Sequence, residues 1–511
     1  MPSNVLSLAL SGIDAIKINV EIDTANAIPA FEIVGLPDAA VKESRERVKL
    51  ALRNSRLYFP IARLTANLAP GGVKKEGPIY DLPIAVGIML LEGRIDASAV
   101  FKAAFVGELS LDGRVCRIDG VLPMTIGAMK MGIERLFVPY ENMREASAVS
   151  GIEVYGVKNL NELYAHLLGQ EKISPAESVP FEISDPSEIL GDFSEVRGQE
   201  SVKRGLEIAC SGFHNVLMIG SPGSGKSMLA KRIPTIMPPI TFEEAIDVTQ
   251  VYSVAGMLSE NSPMVNIRPF RSPHHTISPV GLSGGGKIPH PGEVSLAHHG
   301  VLFLDELPEF QKNALEILRQ PLEDGKVTIT RVGGTITYPC DFMLVCAMNP
   351  CRCGYLGHPT RKCTCSELSV TKYLSKISGP LLDRIDLHLE TTPVPYEALS
   401  SREAAETSKQ VLERVNRARE IQKERFKGAS TQFNGRLTSS QIREFCRLGE
   451  KENEVMKNAF ERLSLSARAH DKILRVSRTI ADLDGKPDIE VKHILEAISY
   501  RSLDRKYFSG M

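Results

Sequence analysis

The 511-residue chain has no excess charge of either sign: 61 Lys and Arg stand against 62 Asp and Glu, a net of −1. A uniformly basic nucleic-acid coat is thereby excluded, although a local basic surface is not. Long apolar runs are also lacking. The longest uncharged apolar stretch, Leu82 to Leu91, is about half of what a membrane-spanning helix needs. The first basic residue is Lys17, so no charged segment precedes an apolar core and cleavage site at the amino terminus. Cysteine is sparse, nine in all, which excludes a secreted disulfide scaffold. No internal repeat and no long low-complexity tract occurs. A cytoplasmic protein with no membrane partner is therefore expected.

What is present is ordinary globular composition, 43% apolar and 24% charged. At about 150 residues per domain the length predicts three or four domains. Residues 1–168 read as a mixed α/β unit. Within it, residues 13–22 alternate apolar and polar as a half-buried strand does, and 39–57 carry helix-spaced apolar residues. Asn161 is the expected N-cap of a short helix through Leu163, Leu167 and Leu168 that stops at Gly169. From 161 to 200 there are nine acidic residues against two basic, with Pro175, Pro180 and Pro186 among them. Such a composition marks a linker, placed at 169–190. Residues 191–395 alternate short apolar runs (215–219, 301–304, 342–347) with helical patterns, which predicts a parallel sheet covered on both faces. Residues 396–511 are charged and helix-periodic, broken near Gly428, Gly435 and Gly485, and read as a helical bundle.

The strongest motif is Gly220, Ser221, Pro222, Gly223, Ser224, Gly225, Lys226 and Ser227, which fits G-x-x-x-x-G-K-S between an apolar run and a helical pattern. Glycines let the backbone curl so that N–H groups face phosphate, and the helix start adds its positive dipole end. Lys226 is expected on the β- and γ-phosphates of ATP and Ser227 on Mg²⁺. The run Val301-Leu302-Phe303-Leu304 ends in Asp305 and Glu306 at the sheet edge where α/β proteins bind ligands. Asp305 is the expected Mg²⁺ partner through water, and Glu306 the general base for the attacking water.

The phosphate loop, Asp305-Glu306, Asn349 and Leu381-Leu382-Asp383-Arg384-Ile385-Asp386 together resemble an AAA+ ATPase. The resemblance implies that Asn349 is the sensor orienting the hydrolytic water, and Arg384 the arginine finger reaching a neighbouring subunit's γ-phosphate. Arg468, in Ser466-Ala467-Arg468, matches the second sensor of the helical lid, with Arg475 as a rival. Narrower stretches carry the resemblance further: Asp192-Phe193-Ser194-Glu195-Val196-Arg197-Gly198-Gln199, Arg268-Pro269-Phe270-Arg271-Ser272-Pro273-His274-His275, Leu296-Ala297-His298-His299-Gly300 and Met348-Asn349-Pro350-Cys351. They closely resemble the magnesium-chelatase-like ComM/YifB family over essentially the whole chain. That resemblance implies a homo-hexameric ring using ATP and Mg²⁺, and DNA branch migration or helicase activity in recombination or natural transformation.

Two alternating β-branched runs, Val327 to Arg331 and Thr335 to Thr337, flank Gly333-Gly334, a strong hairpin signal. In the helicase and chelatase clade of AAA+ proteins a hairpin here points into the ring pore, which makes Arg331 a candidate contact to the DNA backbone. The amino-terminal unit resembles the Lon proteolytic domain at Ala66-Asn67-Leu68-Ala69-Pro70, Lys75-Glu76-Gly77-Pro78 and Gly107 to Gly113. It departs from that family where the chemistry lies: Ile79 occupies the nucleophilic serine's place, and no lysine occurs in 120–124. Serine–lysine catalysis needs both groups, so the fold is expected without proteolysis. A unit of this kind lies outside the chelatase motor pattern and favours the DNA motor.

Cys351, Cys353, Cys363 and Cys365 form a C-x-C, nine-residue, C-x-C arrangement suited to a closed structural Zn²⁺ site in a reducing compartment. His358 between the pairs reads as a loop residue, and His274 and His275 as packing or hydrogen-bonding residues. Residues 351–384 carry a net of +4 and residues 401–427 a net of +3. No aromatic interleaving suggests base stacking, so any DNA contact is expected on the backbone of branched or single-stranded forms. The competing reading is a chelatase-type ATPase that remodels a protein partner.

Overall fold

The computed structural model describes residues 2–259, 261–286, 289–331, 334–393, 405–429, 431–463 and 465–508. It divides into two compact units, one of residues 1–182 with 242–266, the other of residues 183–241 with 267–511.

In the amino-terminal unit, the strands Ser3–Ser11 and Asp14–Ala25 form an antiparallel hairpin closed between Ser11 and Asp14. Gly12, at φ 67°, supplies the left-handed residue of the turn. Seven strands make one mixed sheet in the order Ala30–Val34, Arg63–Ala69, Asp14–Ala25, Ser3–Ser11, Ala103–Phe105, Arg135–Pro139, Glu153–Val157. Alternation divides the core between its faces. Val5 and Ala9 join one apolar cluster, and Leu8 joins the other. Helix Ala39–Asn54 starts at Asp38, whose carboxylate accepts the Val41 N–H. The apolar run singled out in the sequence is a buried helix, Asp81–Leu91. Among the described residues no helix is long and apolar enough to cross a membrane.

Two sequence expectations change here. The cap of the last helix in this unit, Leu160–Leu167, is Asn159 and not Asn161, because Asn159 is the residue in extended backbone whose side chain accepts the Glu162 N–H. The helix Phe242–Val254, placed by the sequence in the ATPase core, belongs with the amino-terminal unit. There it packs on helix Val121–Lys130, and the Gly120 N–H donates to the Ser253 carbonyl at 3.1 Å. Part of the acidic 169–190 segment docks on the same unit. The Ile173 N–H donates to His166 Nδ1 at 2.9 Å and the Ala176 N–H to the Val154 carbonyl at 2.7 Å.

The second unit holds a wholly parallel five-stranded sheet in the order Phe270–Arg271, Val301–Leu304, Met343–Met348, Val216–Gly220, Leu387–Thr391. The central strands are buried at every residue, as strands covered on both faces must be. Helices Glu200–Gly212 and Lys226–Ile236 pack beside it, and a single apolar core runs from the sheet into the carboxyl-terminal helices. Those helices are Ser408–Arg425, Ser439–Phe445, Glu450–Leu463, Ala467–Leu483, Val491–Ser499 and Ser502–Phe508. Gly428, Gly435 and Gly485 all fall between them. The strands Lys326–Arg331 and Gly334–Pro339 form the expected antiparallel hairpin, pairing from Lys326–Pro339 to Arg331–Gly334. Gly333 and the boundary at 395/396 lie outside the described residues, and of Arg331 only the backbone is described.

Candidate active site

Strand Val216–Gly220 leads into the phosphate loop, after which helix Lys226–Ile236 begins. Gly223 and Gly225 adopt φ of 78° and 87°, a region costly for residues with a Cβ. Gly220 has a different reason: a Cβ there lies 2.0 Å from Thr391 Oγ1, so the loop seats directly on the neighbouring strand. Thr391 Oγ1 in turn hydrogen-bonds Ser224 Oγ at 2.8 Å.

Lys226 Nζ donates to the carbonyls of Gly220 (2.8 Å) and Ser221 (2.9 Å) and lies 3.3 Å from Asn349 Oδ1. Burial outweighs the attraction of Asp305 and draws its pKa down to about 8. Ser227 Oγ donates to Asp305 Oδ2 at 2.6 Å. The two oxygen groups assigned to Mg²⁺ from sequence are thus adjacent, and hard oxygen donors are what that ion takes. Asp305 Oδ1 accepts the Glu306 N–H at 2.9 Å, and Glu306 itself sits in left-handed backbone, φ 53°. Its carboxylate faces His275, with Nδ1 to Oε2 at 3.4 Å. Asn349 follows strand Met343–Met348 at the same sheet edge. The loop, Asp305, Glu306 and Asn349 line one cavity of about 390 Å³.

The expected arginines lie elsewhere. Arg384, Arg468 and Arg475 line a second cavity of about 530 Å³ that shares no wall residue with the first. Arg384 donates to the carbonyls of Pro380 (2.6 Å) and Arg319 (3.2 Å) and pairs with Glu323. Arg468 is an exposed partner of Asp383 at 3.5 Å. Arg475 Nε is buried with no hydrogen-bond partner among the described residues.

The Sγ atoms of Cys351, Cys353 and Cys363 lie 3.4 to 3.6 Å apart, and all four thiols of the cluster lie within 4.8 Å of one another. Thiolates about 2.3 Å from a tetrahedral Zn²⁺ stand about 3.8 Å from each other, so the spacing fits that ion. Hydrogen bonding led by the Tyr355 backbone pulls the Cys353 thiol down to about 5, while burial pushes Cys351 up to about 12. His358 is engaged within its own loop, its Nδ1 accepting the N–H groups of Thr360 and Arg361 at 3.2 and 3.1 Å.

Sequence reasoning grouped the phosphate loop, Asp305, Glu306 and Asn349 correctly as neighbours. It missed His275 as a partner of Glu306. The available signal was position, four residues past the strand Phe270–Arg271 that borders Val301–Leu304. In the other unit Ile79 lies in the turn Pro78–Tyr80, half-buried against both apolar clusters, a hydrocarbon where a serine protease needs a hydroxyl.

A phosphate loop, an acidic strand end and a polar sensor on three adjacent strands of a parallel sheet, followed by a helical bundle, define a P-loop ATPase of the AAA+ type. Comparison with known proteins places it further. Residues 192–399 match the family described as magnesium chelatase, subunit ChlI, residues 405–501 its C-terminal part, and residues 20–142 a family described as subunit ChlI of Mg-chelatase. The chain is 42% identical to competence protein ComM of Haemophilus influenzae over 98% of its own length and 97% of that protein. It is 40% identical to the protein YifB of Escherichia coli over 98% and 97%. Over 115 residues, 22% of this chain and 20% of the other, it is 33% identical to Lon protease 2 of Bacillus subtilis. The chain belongs to the magnesium-chelatase-like ComM/YifB family. Because a chelatase-described family also matches residues 20–142, the amino-terminal unit does not separate a DNA motor from a chelatase-type motor, contrary to the sequence argument.

Proposed function

We propose that the protein is an ATP-driven homo-hexameric motor that moves DNA, or its branch points, through a ring pore during recombination or natural transformation. The observation that carries the ring is the separation of the arginines from the phosphate loop: one subunit offers Lys226, Ser227, Asp305, Glu306 and Asn349 in one cavity and Arg384 in another. A neighbour then supplies the cation that neutralises the γ-phosphate. In each site Lys226 takes the β- and γ-phosphates, Ser227 and Asp305 hold Mg²⁺, Glu306 accepts a proton from water, and Asn349 orients that water. Arg331, the last residue of strand Lys326–Arg331, is the candidate DNA-phosphate contact. Cys351, Cys353, Cys363 and Cys365 hold a structural Zn²⁺.

The near-full-length similarity to a competence protein supports DNA as the substrate. The similarity to chelatase subunits supports the second reading, remodelling of a protein partner. ATPase rates with single-stranded, duplex and four-way-junction DNA, measured beside the mass of the assembly with ATP, separate them. Stimulation by DNA in a hexamer is the expected result; indifference to every DNA form leaves the partner-remodelling reading.

A further inference from the structure

Strand Met343–Met348 continues through Asn349 and Pro350 into Cys351, so the cysteine cluster begins two residues after the side chain that touches Lys226. Two contacts tie the cluster segment back to the nucleotide cavity. Gly354, in left-handed backbone at φ 84°, sits so close to the phosphate loop that a Cβ there lies 2.5 Å from Pro222 Cδ. Tyr373, buried in helix Glu367–Leu374 that follows Cys365, lies beside the Asn349 backbone. Between these anchors, residues 352–366 contain neither helix nor strand, and Cys353, Cys363 and Cys365 are only half-buried. Little apolar burial holds that segment in place, so a metal bound by its thiols is the strongest constraint open to it. Four sulfur donors at tetrahedral spacing select Zn²⁺ over the oxygen-seeking Mg²⁺ of the neighbouring cavity.

We propose that Zn²⁺ on Cys351, Cys353, Cys363 and Cys365 is a lock on the motor: it clamps the 349–365 segment against Pro222 and fixes Asn349, so that full ATP turnover depends on the bound zinc. The proposal rests on the ATPase reading of the cavity for its effect on turnover, and on geometry alone for its effect on the phosphate loop.

The test uses the full chain, with zinc content, ATP hydrolysis and amide hydrogen exchange of residues 220–227 measured before and after removal of metal by a chelator under reducing conditions. About one equivalent of zinc is expected. Its removal speeds exchange in the loop and slows hydrolysis about tenfold or more, and added Zn²⁺ reverses both. Cys363→Ser reaches the same state without chelator. Gly354→Ala keeps its zinc yet slows hydrolysis, because the new Cβ displaces Pro222. Less than a tenth of an equivalent of zinc, or a stripped protein with unchanged exchange and hydrolysis, overturns the proposal. Should stripping unfold the whole unit, Gly354→Ala decides: full metal with normal hydrolysis in that variant overturns the coupling. If the zinc-loaded protein hydrolyses no ATP while stripping still speeds loop exchange, the ATPase reading fails and the lock on the loop stands.

Discussion

His275 Nδ1 lies 3.4 Å from Glu306 Oε2, joining a residue outside the nucleotide motifs to the carboxylate assigned as general base. Held this way, Glu306 is oriented by a partner rather than by its own strand alone. His275→Ala is expected to lower kcat for ATP about tenfold while leaving KM within about twofold, with partial recovery in His275→Gln. A rise in KM without loss of kcat shows that His275 acts in nucleotide binding instead.

Lys226 is expected to set a pH limit on ATP binding. Its ammonium is the form that attracts phosphate, and burial draws its pKa down to about 8. Below that value the site is charged and affinity is flat. As pH rises through it, the free protein loses the charge, and ATP affinity is expected to fall by up to about tenfold per pH unit. Titration with a fluorescent ATP analogue from pH 7 to 9.5 checks this; a flat profile shows that Lys226 stays charged throughout.

Asp386 anchors the sheet to the helical bundle. It is almost fully buried, accepts the Asn215 N–H at 3.1 Å, and lies 3.5 Å from His214 and 3.8 Å from Lys472. Burial opposes its charge, but His214 and Lys472 more than offset this and hold it well below the usual carboxylate range. A depressed folded-state pKa means that its stabilisation is complete above the ordinary Asp range and lost only as pH falls towards the folded value. Asp386→Ala leaves Lys472 buried without its counter-charge and is expected to cost about 3–5 kcal/mol, read from urea unfolding.

Arg384 gives the proposed ring a complementation test. Lys226→Ala and Arg384→Ala proteins are each expected to lose ATP hydrolysis by about a thousandfold or more. Mixed together, they form some interfaces with an intact loop on one side and an intact Arg384 on the other. Recovered hydrolysis on mixing is the expected outcome. Two inactive proteins that stay inactive in verified mixed hexamers show that Arg384 does not act on a neighbour.

The shape of the phosphate loop was legible in eight consecutive residues because its requirements are local: glycines for left-handed backbone, a lysine and a hydroxyl at the helix start. The acidic strand end was legible for a related reason, since a fully apolar strand must be buried and its carboxyl end must lie at the sheet edge. The hairpin followed from alternation and a Gly-Gly turn, and the missing proteolytic groups from simple identity. The cap at Asn159 was misplaced by two residues because both asparagines are good caps and only backbone conformation chooses between them.

Tertiary structure alone decided the rest. It assigned Phe242–Val254 to the amino-terminal unit, brought His275 to Glu306, seated Gly354 on Pro222, and put Arg384 and Arg468 in a cavity apart from Lys226. Each of these joins segments far apart in the chain, and periodicity and motif spacing say which face of an element is apolar but not which distant face it meets. By itself, then, the sequence determined the AAA+ ATPase class and the residues that gather at the edge of the sheet. Packing decided which side chains hold those residues in place and which lie in a separate cavity.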